Sequence, residues 1–237
     1  MNNEMTELEK KCVLICAYNE EKKIADVVKE SLKYIPNILV VNDGSKDKTA
    51  ILAKEAGATV LSHETNKGKG TAFKTGFRYI LENGFNAAIT LDGDGQHDPA
   101  DIPGLLNKLY KDNYSMVVGA RNFDSKEVPR KRRIGNKTDS WVHSVGLGQR
   151  IEDPQCGYRI FTKQVIEKYH DKIDEKGYFY ELVFLAMAAS NGEKIGWQTV
   201  KTIYPEDGTS NIRNWPHIGK SIIHYFNMAK GKYKLNL

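Results

Sequence analysis

Residues 91–99, LDGDGQHDP, close an apolar run with three carboxylates, Asp92, Asp94 and Asp98. Asp98 precedes Pro99 and is followed by Asp101, an order that fits a helix N-cap, a first-turn proline and an acidic residue near the helix start. Asp92 and Asp94 ask for something else. In an extended segment residues two apart face the same way, and Gly93 and Gly95 remove the bulk that would keep a backbone from a ligand. Two like charges so placed repel unless a cation lies between them, and a divalent metal is the expected one. A hard cation held by only one or two carboxylates keeps positions open for phosphate oxygens, so the expected ligand is phosphorylated. An EF-hand loop would need Gly where His97 stands and Glu where Pro103 stands, which excludes it. A phosphatase aspartyl nucleophile would want a small or β-branched residue where Gln96 stands, on the first strand rather than the fourth.

Two further stretches carry polar groups that could serve the same ligand. NDGSKDKT puts Asp43 at a strand end before Gly44, with Ser45 at the start of the next helix; a fixed carboxylate there could accept from a nucleobase N–H, or simply form an Asx-turn. NKGKGTAFKTGF sets Lys67 and Lys69 among glycines at a helix N-terminus, a setting that receives negative charge, without the spacing of a P-loop.

The elements that must position these groups alternate strand and helix. CVLICA at 12–17, NILVVN at 37–42, ATVLS at 58–62, NAAITLD at 86–92 and SMVVGA at 115–120 read as strands; amphipathic stretches lie at 20–34, 46–56, 69–83 and 100–112. Strands apolar on consecutive positions predict a mostly parallel sheet covered by helices on both faces, an α/β fold whose ligands bind beyond the carboxyl ends of the strands. AYNEE, NDGS, DGDGQ and GARN all fall at that edge. Beyond residue 120 the reading is a basic loop PRKRR, a helix at 134–148, the segment DPQCGYRIF, an apolar helix near 178–191, a strand-like KIGWQTVKTIYP and a C-terminal helix from about 216. This half is expected to hold the second substrate.

At 237 residues the chain can bury one sizeable core, and one compact unit is expected. Lys and Arg outnumber Asp and Glu by only 35 to 30, too small an excess for a nucleic-acid binder. No apolar run reaches the roughly 20 residues of a membrane span and no leader precedes the first strand, so a cytoplasmic protein is expected, able to work at the inner face of the membrane. Three cysteines without a CxxC pair read as reduced core thiols, Cys12 and Cys16 on one buried face.

In order and separation, CAYNEEKKI, VVNDGSKDKTA, NKGKGTA, LDGDGQHDP, VVGARN and DPQCGYRIF resemble the family-2 glycosyltransferases of GT-A fold, over about residues 11–210. Within them the likeness is to the branch of dolichol-phosphate mannose synthases and bacterial polyprenyl-phosphate glycosyltransferases. Cys16 stands where the family often has proline, and Asn42 where it has the first aspartate of DDGS. The resemblance implies one GT-A catalytic domain: a nucleotide-sugar half at 11–120, an acceptor half at 121–215 and an amphipathic helix at 216–237. It implies Mg²⁺ or Mn²⁺ on Asp92, Asp94 and Gln96 against the donor diphosphate. Cys16, Ala17, Tyr18, Glu20, Val41, Asp43, Lys69, Asp92, Gly93 and Asp94 would then surround the nucleotide-sugar donor. Arg121, Arg133, Arg159 and Arg213 would meet the phosphate of a lipid-phosphate acceptor, with Asp94, Asp153, Arg121 and Arg133 at the chemistry.

A sugar hydroxyl must lose its proton to a base, whereas a lipid phosphate is already anionic and mainly needs positioning. Arg121, Arg130, Arg132, Arg133, Arg159 and Arg213 favour the phosphate, Asp153 being either a base or an organiser of arginines. A hydroxyl acceptor, or a non-catalytic nucleotide-sugar-binding protein, are the alternatives. The branch often carries Ser-Lys in a late loop; here Ser210 is followed by Asn211, with Arg213 the nearest cation. Glu181, in the first turn of an apolar helix, reads as complementing the helix dipole. The terminal segment, with Ile218, Ile222, Phe226, Lys220 and Lys230, reads as packing on the core, or else as lying on an anionic membrane surface.

Overall fold

The computed structural model describes residues 7–123, 130–201 and 203. Seven strands form one sheet: β1 Lys11–Ala17, β2 Ile38–Asn42, β3 Thr59–Ser62, β4 Ala87–Asp92, β5 Met116–Arg121, β6 Arg159–Thr162 and β7 Ile195–Val200. Their order across the sheet is β3-β2-β1-β4-β6-β5-β7. All pairings are parallel except those of β6, which runs antiparallel to both β4 and β5.

Helices α1 Ile24–Leu32, α2 Thr49–Glu55, α3 Lys69–Glu82, α4 Ile102–Lys111, α5 Arg130–Leu147, α6 Lys163–Tyr169 and α7 Tyr180–Ser190 make the connections. Buried side chains of α1 (Ile24, Val27, Val28, Ser31) and of α4 (Ile102, Leu105, Leu106, Leu109) recur at helical spacing, so each helix lays one apolar stripe on the sheet. β2 is buried throughout and β4 and β5 are buried up to their last residues, as two covered faces require; β3, at one edge, is half-exposed. Helix α7 is buried nearly all round, and its Tyr180 and Phe184 join Phe73 and Phe77 of α3 and Phe161 of β6 in one aromatic cluster.

One expectation needs correction, and two elements went unread in the sequence. Arg130 to Arg133 do not form a loop but open α5, which runs four residues further toward the N-terminus than the apolar pattern indicated. RIFT is a central strand, although its arginine hid it. Helix α6 follows at once, its start capped by the Thr162 hydroxyl accepting from the Val165 N–H. The 216–237 segment, Arg213, the Ser210 loop and the side chain of Arg132 lie outside the described residues. Among those described, no helix is long and apolar enough to cross a membrane.

Candidate active site

Because β1, β2, β4 and β5 share a direction, their carboxyl ends deliver Ala17, Asn42, Asp92 and Arg121 to one edge. The register aligns Val41, Cys16 and Asp92 in one row across β2, β1 and β4. Gly157, in the loop before β6, lets Asp92 stand there: a Cβ on it would come within 2.8 Å of Asp92 Oδ2.

The cation between the acids of LDGDGQHDP is, in this structure, a lysine on the first of them. Lys69, opening α3, places Nζ 2.7 Å from Asp92 Oδ1 and 2.8 Å from Glu181 Oε2, bridging β4 to the first turn of α7. Burial alone would raise the Asp92 pKa, but the Lys69 ammonium, with His97 behind it, outweighs burial and holds that carboxyl well below the usual range. Burial would likewise lower Lys69, and Asp92 and Glu181 outweigh it to raise the ammonium. Asp94 is raised by burial and by Asp92, and Glu20 is pushed up to about 7 by burial and then by Asp94, Asp92 and Asp47. Lys69 thus leaves the edge short of positive charge.

A divalent cation fits that shortage. The donors are hard oxygens suited to Mg²⁺ or Mn²⁺, and among the described residues no group of three or more His, Cys, Asp or Glu side chains forms a complete cage, so ligand oxygens would fill the remaining positions. Asp94 accepts from the Gln96 N–H at 3.0 Å and from its side-chain Nε2 at 2.8 Å, so Gln96 supports the second acid through its amide nitrogens. Asp98 caps the turn that follows, accepting from the Ala100 N–H.

The nucleoside side differs from expectation at several residues. Asp43 is buried and hydrogen-bonded through both oxygens: Oδ1 pairs with His63 Nδ1 at 2.7 Å and accepts from the Lys67 N–H at 2.9 Å, while Oδ2 accepts from the Gly68 N–H at 2.8 Å. It thereby fixes the turn that leads into Lys69. Val41 and Ala17 are buried, Ala17 against Gly93 of the DGDG turn. Ser45 does not cap α2; it accepts from the Asn19 N–H at 2.9 Å, and Asn19 Oδ1 accepts from the Lys46 N–H at 3.0 Å, which laces the loops after β1 and β2 together. Tyr18 is exposed beside these loops, Glu20 is half-buried and Gly93 is buried. Cys16 is only partly buried, unlike Cys12 and Cys156, because its strand end opens on the edge; all three thiols are free.

On the other side of β6, Arg121 Nε and Nη2 lie 2.6 and 2.8 Å from the two Asp153 oxygens, and the Arg121 N–H donates to the same carboxylate at 3.2 Å. Both Asp153 oxygens are thereby taken up in orienting one guanidinium. An open cleft of about 490 Å³ adjoins this pair, lined by Arg121, Phe123, Lys137, Ser140, Arg150 and Ile151 among others. Arg133 sits half-buried in the first turn of α5 and is not among the described residues of that lining. Arg159 is a correction: it is 1% exposed, and its three nitrogens donate to the carbonyls of Cys156, Pro154 and Glu181 at 2.6–2.7 Å. It is a staple between the DPQC loop and α7, not a phosphate ligand.

Motif reading missed His63, His97 and the partnership of Glu181. His63 follows β3, whose pairing of Ser62 with Asn42 sets it beside Asp43, a neighbour no spacing announces. His97 is buried with Nε2 3.6 Å from Asp92 Oδ2.

The family model described as glycosyl transferase family 2 matches residues 12–173. The UDP-N-acetylglucosamine–dolichyl-phosphate N-acetylglucosaminyltransferase of Methanococcus voltae is 34% identical over 82% of this chain and 86% of its own length. The polyprenol monophosphomannose synthase of Mycolicibacterium smegmatis is 31% identical over 76% of this chain and 72% of its own. Among solved structures, glucosyl-3-phosphoglycerate synthase from Mycobacterium tuberculosis, in complex with Mn²⁺, UDP and phosphoglyceric acid, superposes with a TM-score of 0.68 at 18% identity, over 97% of this chain and 82% of that one. The seven-stranded sheet with its flanking helices is accordingly of the GT-A type.

Proposed function

Because this chain belongs to glycosyl transferase family 2, we propose that it moves one sugar from a nucleotide-sugar to a polyprenyl or dolichyl phosphate, by a single displacement that inverts the anomeric carbon. What carries the choice of acceptor is Asp153. A hydroxyl acceptor needs a carboxylate free to take its proton; Asp153, beside the cleft, is instead committed through both oxygens to Arg121, and Glu152, in the cleft wall, pairs with Arg150 at 3.1 Å. A lipid phosphate needs no base; it needs an oriented cation, and a guanidinium fixed by a carboxylate is that.

In this reading Asp92 and Asp94 hold Mg²⁺ or Mn²⁺, which when bound offsets the charge developing on the departing diphosphate. Lys69 adds a fixed positive charge on the donor side, and Glu20 and Tyr18 border the nucleoside. Arg121, with Lys137 and Arg150 in the same cleft, receives the acceptor phosphate, and its oxygen attacks the sugar from the face opposite the leaving group. The names of the relatives that act on dolichyl or polyprenyl carriers support this acceptor class.

Helix α5 supports a lipid partner too. Ile134, Trp141 and Val145 are 57, 66 and 55% exposed, and at 100° per residue they fall within about 40° of one another on the face opposite buried His143. Exposed Arg130 opens this helix, and exposed Lys137 takes it to the wall of the cleft. An apolar stripe with basic residues beside a phosphate cleft suits the surface of an anionic membrane, the place where a prenyl tail must be met.

The test is transfer of labelled sugar from a panel of UDP- and GDP-sugars with Mn²⁺ to undecaprenyl phosphate and, separately, to undecaprenol. Product with the phosphate alone is expected; product with the alcohol alone would overturn the acceptor assignment.

A further inference from the structure

Helix α7 is buried almost throughout and carries one charged side chain, Glu181. Its place in the first turn suits the helix dipole, but a dipole does not account for burial, since a carboxylate taken from water costs several kcal/mol unless it is paired. The pair is Lys69, 2.8 Å from Oε2; Oε1 has no hydrogen-bond partner, the Arg159 Nε lying 3.9 Å away. Lys69 therefore divides one positive charge between two carboxylates whose settings differ.

Lys69 and Glu181 are held together by packing. Phe73 of α3 stacks on Tyr180 of α7 with centroids 5.6 Å apart, and the Gly70 N–H donates to the Lys176 carbonyl at 2.8 Å. Gly68, at φ +94°, brings the chain so close that a Cβ would stand 2.3 Å from that same carbonyl. Asp92 is 32% exposed and stands at a strand tip, followed by glycine. Of the three groups it is the one able to turn away.

We infer that Glu181 is the retaining partner of Lys69: it keeps the ammonium in place when Asp92 turns to a divalent cation, and so sets how strongly Lys69 competes for Asp92. This rests on the reading of Asp92 and Asp94 as metal carboxylates. Glu181 is a positioning residue that acts only through Lys69.

The consequence is a pair of opposite effects on metal binding without any donor or turnover. Mn²⁺ affinity of the full chain, read as free Mn²⁺ by electron paramagnetic resonance, should rise about fivefold or more in Lys69→Met, where Asp92 has no competitor, and fall by a similar factor in Glu181→Gln, where Lys69 has only Asp92 to pair with. In Lys69→Met/Glu181→Gln the second change should add nothing. Unequal signs and loss of the Glu181 effect without Lys69 are what a merely structural role would not give. Glu181→Asp, shorter by one methylene, carries the same expectation in smaller measure should the glutamine variant fail to fold.

An affinity in Glu181→Gln within about twofold of the parent, or an equal weakening with and without Lys69, would overturn the inference. Asp92→Asn separates the two levels: if it too leaves Mn²⁺ affinity unchanged, the metal reading itself fails, whereas loss of binding in Asp92→Asn beside indifferent Lys69 and Glu181 variants sinks this inference alone.

Discussion

The sheet edge carries two cation–carboxylate arrangements of opposite character. At β4 one ammonium is divided between Asp92 and Glu181, with Asp94 and Glu20 close enough to feel the surplus negative charge. At β5 one guanidinium closes on one carboxylate, two nitrogens to two oxygens, and Asp153 is buried. The first is unbalanced and suited to taking up a further cation. The second is balanced, its carboxylate spent on holding an arginine still. Under the proposed function, metal-assisted departure falls to the first and reception of the acceptor phosphate to the second.

The strongest way to break this contrast is at the unbalanced end. Asp92→Ala and Asp94→Ala should each lower kcat/KM by about 10²- to 10³-fold, measured as sugar transfer at saturating Mn²⁺; retained turnover in either would dissolve the distinction. At the balanced end Asp153→Asn should cost about ten- to a hundredfold, mostly in KM for the lipid phosphate, with the shape of the pH–rate profile unchanged. Disappearance of the acid limb would make Asp153 a base after all.

A smaller effect is expected away from both pairs. Trp141→Glu should reduce flotation with anionic liposomes, and turnover of a long-chain carrier presented in them, by about tenfold, while sparing a short water-soluble prenyl phosphate; equal losses on both acceptors would remove α5 from the membrane.

The smallest test sharpens the charge imbalance itself. Glu20, raised from an ordinary 4.5 to about 7, binds its proton more tightly in the folded chain. Stability therefore falls as pH rises through that interval, and the full cost persists above it. In cation-free buffer Glu20→Gln should raise Tm by about 2–4 °C at pH 8, for roughly 1 kcal/mol, and by nothing at pH 4. A gain of the same size at both pH values would mean that charge is not its cause.

Much of this was legible before any coordinates. The parallel strands announce themselves by consecutive apolar residues, and the rule that ligands meet their carboxyl ends brought Asp92, Asp94 and Arg121 to one edge. What failed had physical reasons. Arg130 to Arg133 looked like a solvated loop because like charges usually stay in water, yet they stand on the first turn of α5. Strand β6 was hidden because its first residue is an arginine, whose buried guanidinium is hydrogen-bonded by three backbone carbonyls that no motif displays. Asp43 lies at the expected strand end, but β3 pairing brings His63 to it and turns it inward. Glu181 did leave a trace: a lone carboxylate in an apolar helix has to have a partner, and the partner had to come from a segment with a spare cation.

Strand β6 runs against its neighbours and separates β4 from β5 by two sheet spacings, about 10 Å. On the proposed function the reversed strand acts as a spacer: it sets the tip that would hold the donor apart from the tip that would receive the carrier, and leaves room between them for the sugar that moves.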